Sequence, residues 1–303
     1  MSAPGSIGSE VTLAVYVCAP VIETTERPRG PYSLRLSARL ATDTTRAFRG
    51  GRLMGALPGG ELVSAWQQPD GAVVLCAQSD EGVGRLRFML GLEDDHSPFL
   101  ERFRDDPLLG RATLVLKGLR PLRLATVAQS LLRALAGQLV TWQDAKQIER
   151  SVIRRVSPRL ESGLYEPPTS ESLARLSTAE LRSLGLHARR AAALARLCRS
   201  LDLERLHSVP TDAVVQRLCQ EPGLGPWSAG VVCLQGLGRT EHGLVGDLGL
   251  IKLCSRGGQR RVDVDETAAL LEPYGDWAGL ASVYLLAGMS RGLIPSPASR
   301  EAA

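Results

Sequence analysis

Apolar positions along the chain change period once. From Tyr32 to Leu40 they alternate, with Leu34, Leu36, Ala38 and Leu40 on one side and Ser33, Arg35, Ser37 and Arg39 on the other, which is the two-residue period of a half-buried strand. Val11 to Val17, Leu62 to Trp66 and Ala72 to Cys76 are further β-type runs, and Gln68-Pro69-Asp70-Gly71 supplies turn chemistry for a hairpin between the last two. From about Arg120 the spacing becomes helical. Thr126 precedes Val127, Leu131 and Ala134/Leu135, and Ser177-Thr178-Ala179-Glu180 is a capping box ahead of Leu181 and Leu184. Between the two patterns, Gly91 to Leu109 is charged, with Asp94-Asp95 and Asp105-Asp106-Pro107, and reads as a connecting segment or the start of the helical part. The pattern predicts an α+β chain: an N-terminal antiparallel sheet domain over residues 1–110 and an all-α part over 111–303.

Composition narrows the class. At 44% hydrophobic and 22% charged, the 303 residues have a soluble globular balance, which excludes collagenous and low-complexity chains. No apolar run approaches the ~18 residues of a spanning helix, and Met1 to Glu10 lack a secretory signal, so a cytoplasmic address away from membranes is expected. The six cysteines are scattered without C-x-x-C spacing and the four histidines form no ligand motif, so no metal site is predicted and buried thiols are expected.

Charge adds a partner. The net +4 is concentrated: between Leu139 and Ser200 eleven basic residues face six acidic ones, a local +5 that can contact phosphates if it lies on one face. Otherwise it is a solvated mixed-charge surface.

The segment 212–236 carries the sharpest local signal. Asp212 is predicted to cap a helix with Val214, Val215 and Leu218 on its apolar face, and Pro222 to stop it. Gly223-Leu224-Gly225 follows, and Pro226 stands at the favoured first position of a second helix through Ala229, Val231, Val232 and Leu234. Such a hairpin lets backbone approach a partner closely and directs N–H groups of Gly223, Leu224, Gly225, Trp227 and Ser228 toward a phosphate without sequence preference. A purely structural αα-corner is the alternative.

Downstream stands Gly246-Asp247, followed by Leu248-Gly249-Leu250-Ile251. With it, "EPGLGPWSAGVVCLQGLGRTEHGLVGDLGL" resembles the helix-hairpin-helix and Gly/Pro…Asp signature of the HhH-GPD base-excision DNA glycosylases. "GLRPLRLATVAQSLLRALAGQLVTW" is similar to the first core helix and Gly-Gln-Leu loop of the DNA-3-methyladenine glycosylase II type, and "LARLSTAELRSLGLHARRAAALARL" to the stretch between. The resemblance covers about residues 118 to 290 in the family's order, and relatives often carry a sheet domain before it.

The resemblance implies a helical core of two lobes with a cleft between them, residues 248–295 returning to pack with about 93–120. It implies a monomer that needs no cofactor and acts on damaged bases in double-stranded DNA. A buried N-glycosidic bond demands base flipping, and an apolar wedge fills the gap; Leu139 is the matched wedge, with Gln138 beside the vacated partner base. Asp247 matches the carboxylate that stabilises charge developing on the sugar, a role compatible with capping the helix at Leu248. Trp227 occupies the position of the Schiff-base lysine of lyase relatives and cannot form an imine. The resemblance therefore implies a monofunctional enzyme, with Trp227 stacking on a cationic alkylpurine.

The implied base pocket is Trp227, Val231, Leu248 and Leu286. The family type has aromatics at the last three positions, so this pocket is less aromatic. Glu221 stands where an apolar residue usually precedes the Pro-Gly and should weaken phosphate binding unless it points away or is paired. Two alternatives stand beside the alkylpurine reading: a binder of distorted or branched DNA that excises nothing, and a glycosylase for deaminated or oxidised bases.

Overall fold

In the computed structural model, which describes residues 21–39, 41–138, 140–255 and 263–294, the first part of the chain builds an antiparallel sheet in the order β1-β5-β4-β3-β2. Its strands are β1 (Ile22–Glu26), β2 (Arg46–Arg49), β3 (Arg52–Ala56), β4 (Leu62–Gln67) and β5 (Val73–Ala77). The predicted hairpin joins β4 to β5, with Trp66 opposite Val74, and the Gln68 N–H donates to the Ala72 carbonyl at 2.8 Å. Gly71 closes that turn at φ 89°, a left-handed value that favours glycine. The strand expected at Val11 to Val17 lies outside the described residues. Beside β5 sits β1, whose Ile-Glu-Thr-Thr-Glu sequence has too little apolar content to announce a strand.

The strand expected over Tyr32 to Leu40 is instead a short helix, α1 (Leu34–Ala38). Leu34 and Ala38, four apart, are the buried pair, and the Ser33 hydroxyl caps the helix by accepting from the Leu36 N–H at 3.3 Å. Leucine, arginine and alanine are strong helix formers and the segment has no β-branched residue, so composition outweighs the alternation.

A longer helix, α2 (Asp80–Leu90), covers the sheet, capped by Ser79 at its start and by left-handed Gly91 (φ 63°) at its end. Leu53, Val63, Leu75, Leu86 and Leu90 form the apolar layer between them. Next come α3 (Ser97–Arg102) and α4 (Gly110–Val115), so the charged linker is partly helical. The main helical body follows: α5 (Val127–Gly137), α6 (Trp142–Val156), α7 (Ser170–Ala174), α8 (Thr178–Ser183), α9 (Ala188–Ser200), α10 (Thr211–Cys219), α11 (Pro226–Val231), α12 (Leu248–Cys254), α13 (Val264–Leu271) and α14 (Ala278–Met289). The predicted caps hold at Thr126 and Ser177. At α10 they do not. Pro210 precedes that helix and Asp212 sits inside its first turn, where its charge complements the helix dipole rather than capping.

Leu131, Leu135, Val152, Leu194 and Leu250 belong to a second core, that of the helical body. The C-terminal helix returns to α3 and α4: the Tyr284 hydroxyl donates to the Leu116 and Leu119 carbonyls at 3.3 and 3.2 Å, and its ring lies 5.2 Å from Phe99. The sheet part and the helical body are tied by backbone. Arg123 N–H donates to the Met89 carbonyl, and Leu124 N–H to the Gln235 carbonyl. Cys198 and Cys233 are buried and burial pushes both thiols up to about 12, while Cys76, Cys219 and Cys254 are only half-buried. Among the described residues no helix is long and apolar enough to cross a membrane.

His96, at the start of α3, is buried, and burial with the nearby Arg120 guanidinium pushes its imidazole down to about 4, against the pull of Asp94. The unfolded chain takes up this proton near pH ~6.5 while the folded chain refuses it until near pH 4. Stability therefore falls as pH drops through that window, by roughly 2–3 kcal/mol at pH ~4.5. Urea denaturation of wild type and His96→Gln at pH 7 and 4.5 checks this: most of the loss should disappear in the variant, and an equal loss in both would exclude His96 as its source.

Candidate active site

Three elements converge on one cleft of about 720 Å³. The first is α11. Gly225 precedes it in extended geometry, Pro226 opens it as predicted, and the helix continues as a π-helical turn over Val232–Leu237 until left-handed Gly238 (φ 71°) stops it. Trp227, Val231 and Gln235, spaced four apart, all line the cleft.

The second element is the loop into α12. Gly246, at φ 86°, donates its N–H to the Thr267 hydroxyl at 2.8 Å. This turn delivers Asp247 to the first position outside α12, where its Oδ1 accepts from the Gly249 N–H at 2.7 Å. Its Oδ2 accepts from the Trp227 indole N–H at 2.9 Å. Capping and cleft-facing roles thus coexist on one carboxylate, held by one donor per oxygen.

The end of α5 is the third. Gly137 lies against the indole: a Cβ there would come within 2.9 Å of Trp227 Cη2, so a side chain at 137 must displace the ring. The Gln138 Nε2 donates to the Gly223 carbonyl at 2.9 Å and to the Ser228 hydroxyl at 2.6 Å. Gln138 is therefore a bracket between α5 and the hairpin, rather than a side chain standing free beside a wedge. Leu139 lies outside the described residues.

The cleft floor is ionic. Arg133 of α5 donates to Glu149 of α6 through Nε and Nη2 (to Oε1 at 3.2 and 2.9 Å), to Asp43 Oδ2 at 2.8 Å and to Gln235 Oε1 at 3.2 Å. Asp43 also accepts from Arg46 at 2.8 Å. Burial alone would raise the Asp43 carboxyl, but the Arg46 and Arg133 guanidiniums hold it well below the usual carboxylate range. Burial likewise opposes the charge on Arg133, and Glu149 and Asp43 overcome it, pushing its pKa up. At the rim, Trp142 is 60% exposed, with the Lys146 ammonium 3.8 Å from its ring centre.

Most of the residues expected at the site meet here: Asp247, Trp227, Val231, Gln138, Gly223, Gly225, Ser228 and Leu248 line the cleft. Leu248 is 48% exposed and belongs to the rim. Leu286 does not line the cleft; from α14 it packs against Gly249 of α12. Leu224 is buried in the helical core, and the Ser228 hydroxyl points inward to Gln138, so their side chains do not face a phosphate. Glu221 is buried and paired with Arg196, whose Nε donates to it at 2.7 Å, which removes the repulsion its position would otherwise impose. Part of the local basic surplus is similarly neutralised, since Arg155 and Arg175 pair with Glu180 and Glu171. Among the described residues no group of three or more His, Cys, Asp or Glu is placed to hold a metal ion.

Asp43, Arg133, Glu149 and Gln235 were missed by sequence reasoning. Gln235 had a signal, as the polar position four beyond Val231 on an apolar helix. The Asp43–Arg133 pair had none, since 90 residues separate its partners.

Comparison with known proteins agrees with this geometry. The family model described as "HhH-GPD superfamily base excision DNA repair protein" matches residues 132–274. A DNA-3-methyladenine glycosylase of Bacillus subtilis (strain 168) is 25% identical over 216 residues, 68% of this chain and 71% of the relative. Among solved structures, the 3-methyladenine DNA-glycosylase from Archaeoglobus fulgidus superposes with a TM-score of 0.75 at 20% identity, covering 88% of this chain and 97% of that one. The Clostridium acetobutylicum 8-oxoguanine glycosylase/lyase, in complex with double-stranded DNA containing cytosine opposite 8-oxoG, gives 0.73 at 18% identity over 89% of this chain and 99% of that one. At these identities the structures share the fold. Hairpin, Gly-Asp cap and matched segment coincide around one cleft, and residues 132–274 match the HhH-GPD superfamily of base excision DNA repair proteins.

Proposed function

We propose that this protein is a monofunctional DNA glycosylase that hydrolyses the N-glycosidic bond of alkylated purines in duplex DNA and leaves an intact abasic site. The observation that carries the reading is the Trp227–Asp247 pair at 2.9 Å: a carboxylate with fixed orientation faces the cleft, and its partner is an indole at the position that the sequence resemblance matches to the lysine of lyase relatives. An N-alkylated purine is a cationic base and leaves as a neutral one. The C1′–N bond breaks with its electrons going to the base, and positive charge moves to the sugar. Asp247 stabilises that charge and orients a water whose oxygen bonds C1′ as it releases a proton. Little general-acid assistance is needed, so one carboxylate and an apolar-walled cleft suffice.

In this reading the flipped nucleotide enters between Trp227 and the rim, Leu139 takes the vacated space in the stack, and the backbone of Gly223 to Gly225 meets a phosphate. Gln138 holds the wedge loop to the hairpin, so strand contact and base extrusion share one rigid unit.

The test is base release from duplex DNA methylated by dimethyl sulfate, with strand breaks scored before and after alkali. Free methylated purine with breaks appearing only after alkali is expected. Breaks without alkali would overturn the monofunctional assignment, and release of oxidised but not alkylated purines would move the substrate class.

A further inference from the structure

We infer that Gln235 reads the edge of the flipped base and selects alkyladenines over N7-alkylated guanines. This rests on the glycosylase reading above and adds a specificity determinant to the same cleft. Gln235 stands two turns beyond Trp227 on the helix whose Trp227–Val231–Gln235 stripe lines the cavity. Helical side chains lean toward the helix N-terminus, so Gln235 leans toward the Trp227–Asp247 pair and the base attached at the sugar there. The residue lies in the π-helical turn, a distortion that recurs at functional sites.

The amide orientation is set. Arg133 Nη1 donates to Gln235 Oε1, and Arg133 is itself held by Glu149 and Asp43, so oxygen faces the guanidinium and the amide nitrogen of this cleft-lining residue is left as a donor. The other polar side chains of the deep cleft are engaged with one another: Asp43 and Glu149 with Arg133, and Gln138 with Ser228. Gln235 Nε2 has no hydrogen-bond partner among the described residues, and Oε1 retains a second lone pair. Val231, Val245 and Val264, on the cavity walls, pack against a ring without distinguishing one purine from another.

A donor and an acceptor side by side on an amide complement the N7 acceptor and N6 amine of adenine. 3-Methyladenine keeps both groups, because its methyl is on the opposite edge. 7-Methylguanine has the methyl where the acceptor would be and a carbonyl where the amine would be, so neither bond forms.

DNA treated with dimethyl sulfate contains both bases, so one digest reads the selectivity. In Gln235→Leu the ratio of 3-methyladenine to 7-methylguanine released should fall about tenfold relative to wild type. Gln235→Met, close to glutamine in length, should give the same ratio change. An equal fall in both bases would show a packing role and overturn the inference, as would an unchanged ratio in either variant. Failure of wild type to release either base would instead overturn the alkylpurine reading, and the inference with it.

Discussion

Asp247→Asn should lower base release from methylated duplex DNA on the order of 10³-fold, while DNA affinity stays equal or rises. The substitution is nearly isosteric but removes the charge that stabilises a cationic sugar. It also alters the local bonding: Asp247 accepts from the Gly249 N–H and from the Trp227 indole, and an amide offers one acceptor and one donor to two donors. Losing a cap contact costs about 1 kcal/mol, so the variant should remain folded, which a thermal melt verifies. Affinity should not suffer, since a negative charge facing a polyanion has been removed. Single-turnover release with saturating enzyme, beside fluorescence anisotropy on the same duplex, separates the two effects. Turnover at the wild-type rate would remove Asp247 from the chemistry; loss of activity only in proportion to loss of affinity would make it a binding residue.

The largest stability effect should come from Arg133→Met, at about 3–5 kcal/mol. Arg133 bridges Asp43 of the sheet part and Glu149 of α6, whose side chains are both 6% exposed. Removing it leaves Glu149 with no countercharge among its described hydrogen-bond partners and Asp43 with Arg46 alone. The double variant Arg133→Met/Glu149→Leu should recover part of the loss, because the uncompensated carboxylate is gone and apolar side chains fill the site. Guanidinium denaturation at pH 7 is the measurement. A single-variant loss under about 1 kcal/mol would mean that water hydrates the two carboxylates and that the floor is not dry. The contribution of Asp43 is fully present at neutral pH: its folded-state pKa lies below the ordinary carboxylate value, so it is lost only as pH falls below about 4.

Features built from neighbouring residues were legible before any coordinates. The β4–β5 hairpin, the caps at Thr126 and Ser177 and the Pro226 start of α11 each depend on a few consecutive positions whose chemistry admits one local geometry. Tyr32 to Leu40 misled for the same reason in reverse. Nine residues satisfy a two-residue period and a helical one almost equally, and the Gln67 carboxamide oxygen, which accepts from the Leu34 N–H at 3.0 Å, is contributed by a strand far along the chain. At Asp212 the cap chemistry was present but the chain entered the helix two residues earlier, after Pro210.

The candidate site divides along the same line. The glycine-bounded hairpin and the Gly246-Asp247 cap could be read from neighbouring residues, because these are short patterns with one strong geometric solution. Folding brings the indole to the carboxylate, Gln138 to the hairpin and Leu286 to Gly249, contacts between segments far apart in the chain. It alone closed the cleft with Asp43, Arg133, Glu149 and Gln235. A buried charge finds its partner through desolvation and distance in the folded chain, and neither is encoded in the spacing of residues along it.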